Sequence, residues 1–315
     1  MSHLLNETAS GVYIIAVTPF TDAGQIDEAS IDRVVDFYLE KGVTGMTILG
    51  MMGESHKLTQ DESRLVMNRY LKRVDGRVPV VVGVSAPGTD PLVQFAKEAM
   101  DAGAAGLMLA PVNSVRTDEQ IFNYYASVLD KLPDAPMVVQ DYPFITTVNM
   151  SVDVLRRIFD RYSQVVMLKH EDCPGHGKLT RLRAAAGRQV SILVGNGGMY
   201  LPQELGRGAN GAMTGFAYPE MLVEVCDLWA KGQHERAEDV FDMYLPLLRH
   251  EAQPVIGIAL RKETLRRRGA IASAHVRSPG PRQTADDHHE LDRLIARLQR
   301  RLAMDGATVP AAAGA

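Results

Sequence analysis

Eight short apolar runs, rich in Val, Ile, Leu and Met, recur along the chain with amphipathic stretches between them, and this repeat limits the fold more than any other feature. They fall at residues 12–18, 45–49, 79–84, 106–110, 136–140, 165–169, 190–195 and 210–214. Continuous apolar runs, rather than apolar and polar residues in alternation, suit strands that are covered on both faces. Successive starts lie about 28 residues apart, the length of one strand–helix unit. The stretches between carry helix-start signals. Thr59-Gln-Asp-Glu62 and Thr117-Asp-Glu-Gln120 match the capping box, and Asp27 precedes a stretch whose Ile31, Val34, Val35, Tyr38 and Leu39 share one face. Eight such units predict an α/β fold, the (β/α)8 or TIM barrel, of about 250 residues. The alternative is an open doubly wound sheet. Against it, no G-x-G-x-x-G follows the first run, and Gly195-Asn-Gly197-Gly198 is a near match late in the chain.

After residue 232 the strand pattern stops. Ala237, Val240, Phe241, Tyr244, Leu245 and Leu248 form an apolar stripe; a second helix is predicted over 253–268, and Leu291, Leu294, Ile295, Leu298 and Leu302 mark a third. The reading is a barrel over 1–232, a three-helix extension over 233–305 and a frayed tail at 306–315, with 278–284 as a loop. Length and composition narrow the function. The 315 residues are 46% apolar, and none of the apolar runs reaches the ~18 residues of a membrane span. With 34 Lys and Arg against 38 Asp and Glu, the net charge of −4 does not advertise nucleic acid. Two cysteines, Cys173 and Cys226, are too few for a disulfide framework or a four-thiolate metal site. The residues from Met1 to Thr8 lack the pattern of a signal peptide, so a cytoplasmic enzyme is expected.

In a barrel of this kind the chemistry sits at the C-terminal ends of the strands. Three ends stand out: Gly50-Met51-Met52-Gly53-Glu54, Gln140-Asp141-Tyr142-Pro143, and Lys169. Period-two alternation aims Lys169 the same way as Val165 and Met167. If that face is the barrel interior, loss of water favours the neutral amine, the form that attacks a carbonyl. The plain alternative is a solvated lysine at a strand end.

These residues carry a resemblance. Gly50-Met-Met-Gly53-Glu54-Ser55, Thr18-Pro19-Phe20, Lys169 and the helical extension are similar to the dihydrodipicolinate synthase / N-acetylneuraminate lyase family, from about residue 10 to 300. The resemblance implies a class I lyase in which Lys169 forms a Schiff base with pyruvate or another 2-oxo acid, without metal or cofactor, in a homotetramer or dimer. A protonated imine is an electron sink, so a proton on the adjacent carbon becomes removable. The amides of Met51, Met52 and Gly53 offer donors to the acid's carboxylate, and Glu54, Gln140, Gly195 and Met213 complete the expected substrate-binding set. Glu54 also suits a structural role, fixing its loop by accepting amide hydrogen bonds.

The sequence departs from the family pattern where specificity is decided. Met51 and Met52 replace two threonines, one a carboxylate donor and one part of a proton relay. Gln140 replaces the family's catalytic tyrosine; Tyr142, on the same face one step higher, is the candidate to take its place, or else packs at the rim. Ile145 replaces an arginine that holds a dicarboxylic substrate. With Gly211-Ala-Met213-Thr-Gly215 and His250-Glu251, the pattern is more like the 2-keto-3-deoxy sugar acid dehydratases of the superfamily, the L-2-keto-3-deoxyarabonate dehydratases in particular. Such an enzyme acidifies the carbon beside the imine and expels the β-hydroxyl. The alternatives are an aldolase, a dihydrodipicolinate synthase, or a 2-oxo acid binding protein without catalysis.

Other clusters point less clearly. His170-Glu171-Asp172 has metal-ligand residue types, and Glu171 suits a general base, but neighbours on an extended segment point opposite ways. Gly83-Val-Ser-Ala-Pro-Gly88 has the wrong spacing for a nucleophile elbow. Arg261-Lys-Glu-Thr-Leu-Arg-Arg-Arg268 is expected to be a solvated or subunit-contact face.

Overall fold

The computed structural model describes residues 4–306, so all but the first residue of the expected tail at 306–315 lies outside the described residues. Eight strands form a closed barrel in sequence order: β1 (Gly11–Ile15), β2 (Gly45–Ile48), β3 (Val80–Gly83), β4 (Gly106–Leu109), β5 (Met137–Asp141), β6 (Val165–His170), β7 (Ser191–Val194) and β8 (Gly211–Ala212). Every neighbouring pair is parallel, and β8 closes on β1 through Gly11 opposite Gly211 and Val12 opposite Ala212. All eight apolar runs became strands, each within its expected stretch apart from a residue at β1, β5 and β6. The open sheet is excluded by closure.

The helices begin where the side chains say they should. Thr59 and Glu62 exchange hydrogen bonds with each other's backbone amides, as do Thr117 and Gln120, and Asp27 accepts from the Ser30 amide. Each satisfies donors that the first helical turn leaves open. The extension consists of helices His234–Glu251, Gly257–Arg267 and Ala285–Asp305, the last opened by a capping box of Thr284 and Asp287.

Two apolar cores follow from a closed sheet. One lies between strands and helices; the other fills the lumen with Tyr13, Ile15, Val81, Met108, Val138, Met167, Leu193 and Met213. The lumen set shows which way each strand faces. Met167 points in, and Lys169, two residues on, shares its face. Val165 does not: it belongs to the outer core, because the β5–β6 register shifts between Met137 and Val138, which pair with Val165 and Met167. The expected alternation therefore holds for Met167 and Lys169 and fails at Val165, where the irregularity inserts one residue.

The basic run 261–268 is corrected at its start. Arg261, Lys262, Glu263 and Thr264 are buried, as the helix Gly257–Arg267 lies against the mouth of the barrel, and only part of the run meets solvent. Arg268 is likewise held inward, bonded to the Ala217 carbonyl and to Glu220.

Candidate active site

β6 delivers Lys169 into the lumen with only 5% of its surface exposed. Its amine lies 3.2 Å from a carboxylate oxygen of Glu171, itself 6% exposed. The two are i and i+2 on one extended segment, hence on one face. Gln140 stands opposite Lys169 in the β5–β6 register, and its side-chain amide donates to the same Glu171 oxygen at 2.7 Å. Lys169, Glu171 and Gln140 thus form one buried cluster at the C-terminal end of β5 and β6. Glu171 is absent from the expected site set, although the alternation that aimed Lys169 inward already placed it there.

Gly195, at the end of β7, explains itself through Glu171. A Cβ on Gly195 would stand 2.3 Å from Glu171 Cγ and 2.4 Å from Oε1. Only hydrogen fits, so Gly195 makes room for the carboxylate. Met213 is fully buried in the lumen core.

The turn after β2 is set by two non-glycine residues in the left-handed region, Leu49 (φ 55°) and Glu54 (φ 55°). Such conformations cost energy and persist where surroundings enforce them. Thr18 helps enforce this one, its hydroxyl donating to the Gly53 carbonyl at 2.6 Å. The Gly53 amide donates to the Gly50 carbonyl inside the turn, which removes it from the expected carboxylate donors. The Met51 and Met52 amides donate to no group among the described residues. Met52 packs its side chain on the lumen core, while Met51 is exposed.

Glu54 is buried, with both oxygens engaged by other parts of the chain. One oxygen accepts from Lys262 Nζ at 2.5 Å, the other from Lys57 Nζ at 2.9 Å and the Arg277 amide at 3.0 Å. Both oxygens are occupied in fastening the β2 turn to the helical extension, which corrects its place in the substrate-binding set and fits the structural role instead. Burial pushes Lys262 down to about 8, against the pull of the Glu54 charge.

Tyr142 is half-buried at the rim, and burial together with the charge of Glu171 pushes its phenol up to about 12. The hydroxyl is therefore protonated at neutral pH and available as a donor. Phe144 and Ile145 follow it exposed, so the position of the family's arginine is an apolar surface residue. His170, Glu171 and Asp172 diverge: the His170 ring meets the Gly175 carbonyl and Asp141, Glu171 meets Lys169 and Gln140, and Asp172 meets Lys178. Among the described residues no cluster of three or more His, Cys, Asp or Glu converges on a metal position. Cys173 and Cys226 are both free. Among the described residues no helix is long and apolar enough to cross a membrane.

A lysine amine enclosed in a parallel barrel, with a carboxylate in contact and bare amides on the next loop but three, defines a lyase that works on carbonyl acids. A profile of the dihydrodipicolinate synthetase family matches residues 8–298, and the chain belongs to that family. It is 33% identical over 293 residues to an L-2-keto-3-deoxyarabonate dehydratase of Azospirillum brasilense, covering 91% of this chain and 94% of that one. It is 28% identical over 242 residues to a 4-hydroxy-tetrahydrodipicolinate synthase of Persephonella marina, covering 76% and 81%. Among solved structures, one described as a dihydrodipicolinate synthase from Rhodopseudomonas palustris is 46% identical, covers 94% of this chain and all of that one, and superposes with a TM-score of 0.91.

Proposed function

We propose that this chain dehydrates a 2-keto-3-deoxy sugar acid through an imine on Lys169. What carries the reading is one juxtaposition: the buried Lys169 amine in contact with Glu171, in a site that has Met51, Met52, Gln140 and Ile145 where a synthase has its threonines, tyrosine and arginine. The dehydratase of Azospirillum brasilense, alike over nearly its whole length, supports it.

The residues suit each step. The neutral amine adds to the 2-keto carbon, and the carbinolamine loses water to give the protonated imine. The Met51 and Met52 amides hold the carboxylate, which lets a methionine stand where a hydroxyl donor stands elsewhere. Glu171 removes a proton from carbon 3, the pair collapses into the imine to form an enamine, and the hydroxyl on carbon 4 leaves with a proton from Tyr142. Hydrolysis of the new imine frees the product and the amine. The net change is loss of one water, and no oxidant or metal enters. Gln140 holds Glu171 in place.

The synthase reading is favoured by the description of the 46% identical structure from Rhodopseudomonas palustris and by the 28% identical synthase of Persephonella marina. Ile145 argues against it, since an exposed isoleucine offers nothing to a second carboxylate. A protein that binds 2-oxo acids without turnover is the reading from another class. The assembly is a homotetramer or dimer in the cytoplasm, as the resemblance to the family implies.

Borohydride reduction in the presence of pyruvate tests the imine. The intact mass gains the reduced adduct in the wild type and gains nothing in Lys169→Ala. Turnover of five- and six-carbon 2-keto-3-deoxy acids, and none of pyruvate with aspartate semialdehyde, is the expected pattern. The opposite pattern assigns the chain to the synthases; a 2-oxo acid that raises the melting temperature without adduct or turnover assigns it to the binding proteins.

A further inference from the structure

Arg261, in the helix Gly257–Arg267, is only 4% exposed, and its Nε donates to Glu251 Oε1 at 2.5 Å. Its Nη1 is buried and has no hydrogen-bond partner among the described residues. Buried donors are almost always paired, so one left open in a built site asks what completes it. Where that nitrogen lies gives the answer. A Cβ on Gly215 would stand 2.0 Å from Nη1. Gly215 is two residues beyond Met213, which faces the lumen, so the missing side chain of Gly215 belongs to the lumen face at the mouth of the barrel. The guanidinium fills the place that side chain would take. The charges of both Arg261 and Glu171 act on Tyr142 at the rim.

The charge on the guanidinium is already matched by Glu251, whose other oxygen accepts from the Ala217 amide at 3.1 Å. A matched pair with one open donor suits a neutral oxygen better than a second anion. Resting on the lyase reading above, we propose that Arg261 Nη1 donates to a hydroxyl on the distal carbons of the substrate and thereby selects hydroxylated 2-keto-3-deoxy acids over plain 2-oxo acids. The ketone and carboxylate end is held elsewhere, by Lys169 and the amides after β2. Gly215 is a glycine so that the guanidinium reaches the lumen.

The experiment compares wild type, Arg261→Met and Gly215→Ala on two readouts: kcat/KM for five- and six-carbon 2-keto-3-deoxy acids, and borohydride trapping of pyruvate, which has no distal hydroxyl. Loss of a hydrogen bond to a substrate hydroxyl is expected to lower kcat/KM for the hydroxylated acids by about 100-fold. Trapping of pyruvate stays within about threefold of wild type, as a group that meets only the distal carbons predicts. Gly215→Ala, whose methyl would stand 2.0 Å from Nη1 and 2.8 Å from Cζ and so drives the guanidinium from its place, gives the same split if Arg261→Met does not fold. Equal loss on both readouts in the folded variants makes Arg261 a structural residue and overturns the proposal, as does unchanged kcat/KM. A wild type that traps no 2-oxo acid overturns the lyase reading itself, which no result on Arg261 alone can do.

Discussion

At the scale of single residues, the site is a set of alternations. Lys169 and Glu171 share a face because they are two apart on β6 and its continuation, and Gln140 joins them because β5 is in register. Glu171→Gln keeps the shape and removes the base, so kcat falls by about 10²–10⁴-fold while the borohydride adduct with pyruvate persists. Gly195→Ala displaces the Glu171 carboxylate from its seat and reproduces much of that loss, with a lowered melting temperature from the overpacked site. Tyr142→Phe lowers kcat by a similar factor of about 10²–10⁴. Because the Tyr142 phenol titrates near about 12, the wild-type pH profile shows no loss from that group across neutral pH. A wild-type kcat that falls between pH 7 and 9 and becomes flat in Tyr142→Phe would contradict this assignment.

At the scale of elements, the β2 turn and the helix Gly257–Arg267 hold one another. Glu54 receives Lys262, Lys57 and the Arg277 amide, and the Lys262 ammonium also lies 4.4 Å over the Phe20 ring. Without Lys262, Glu54 Oε1 loses its partner while the other oxygen keeps Lys57 and the Arg277 amide, so Lys262→Ala is expected to cost about 1–3 kcal/mol in denaturant unfolding. Glu54→Leu also leaves Lys57 Nζ and the Arg277 amide without their acceptor, so it costs more than Lys262→Ala; equal losses in the two variants would mean that Lys262 is the partner that matters. The strands and capped helices were legible in the sequence because periodicity and capping are local. The lysine partner of Glu54 and the burial of the run after Gly257 were not, since a charged residue reads as solvated until a partner 208 positions away is brought beside it.

At the scale of the molecule, the extension is part of the barrel's mouth. Arg277 binds both oxygens of Glu62, in the helix Gln60–Val74, and also reaches the Gly24 carbonyl. The Arg277 hydrogen bonds hold the Glu62 carboxyl at about 2, well below its ordinary value. A depressed carboxylate stabilises the fold fully above its unfolded value near 4.5, and that contribution is lost as pH falls through about 2. Unfolding measured by chemical denaturant between pH 5 and 2 should therefore show a steeper loss of stability in the wild type than in Glu62→Gln. Parallel curves would mean that the pair contributes nothing.

The sequence by itself determined the barrel, its eight strands, the inward lysine and the family, because each is written in residues a few positions apart or in short motifs such as the glycines and glutamate kept after the second strand. Tertiary structure alone decided that Glu54 fastens its turn to Lys262 and that Val165 faces out past a register shift. It also decided that a supposed surface arginine ends under Gly215 at the mouth. Those outcomes depend on which distant segments share a small volume once the sheet closes, and on which charges must find partners there when water is removed.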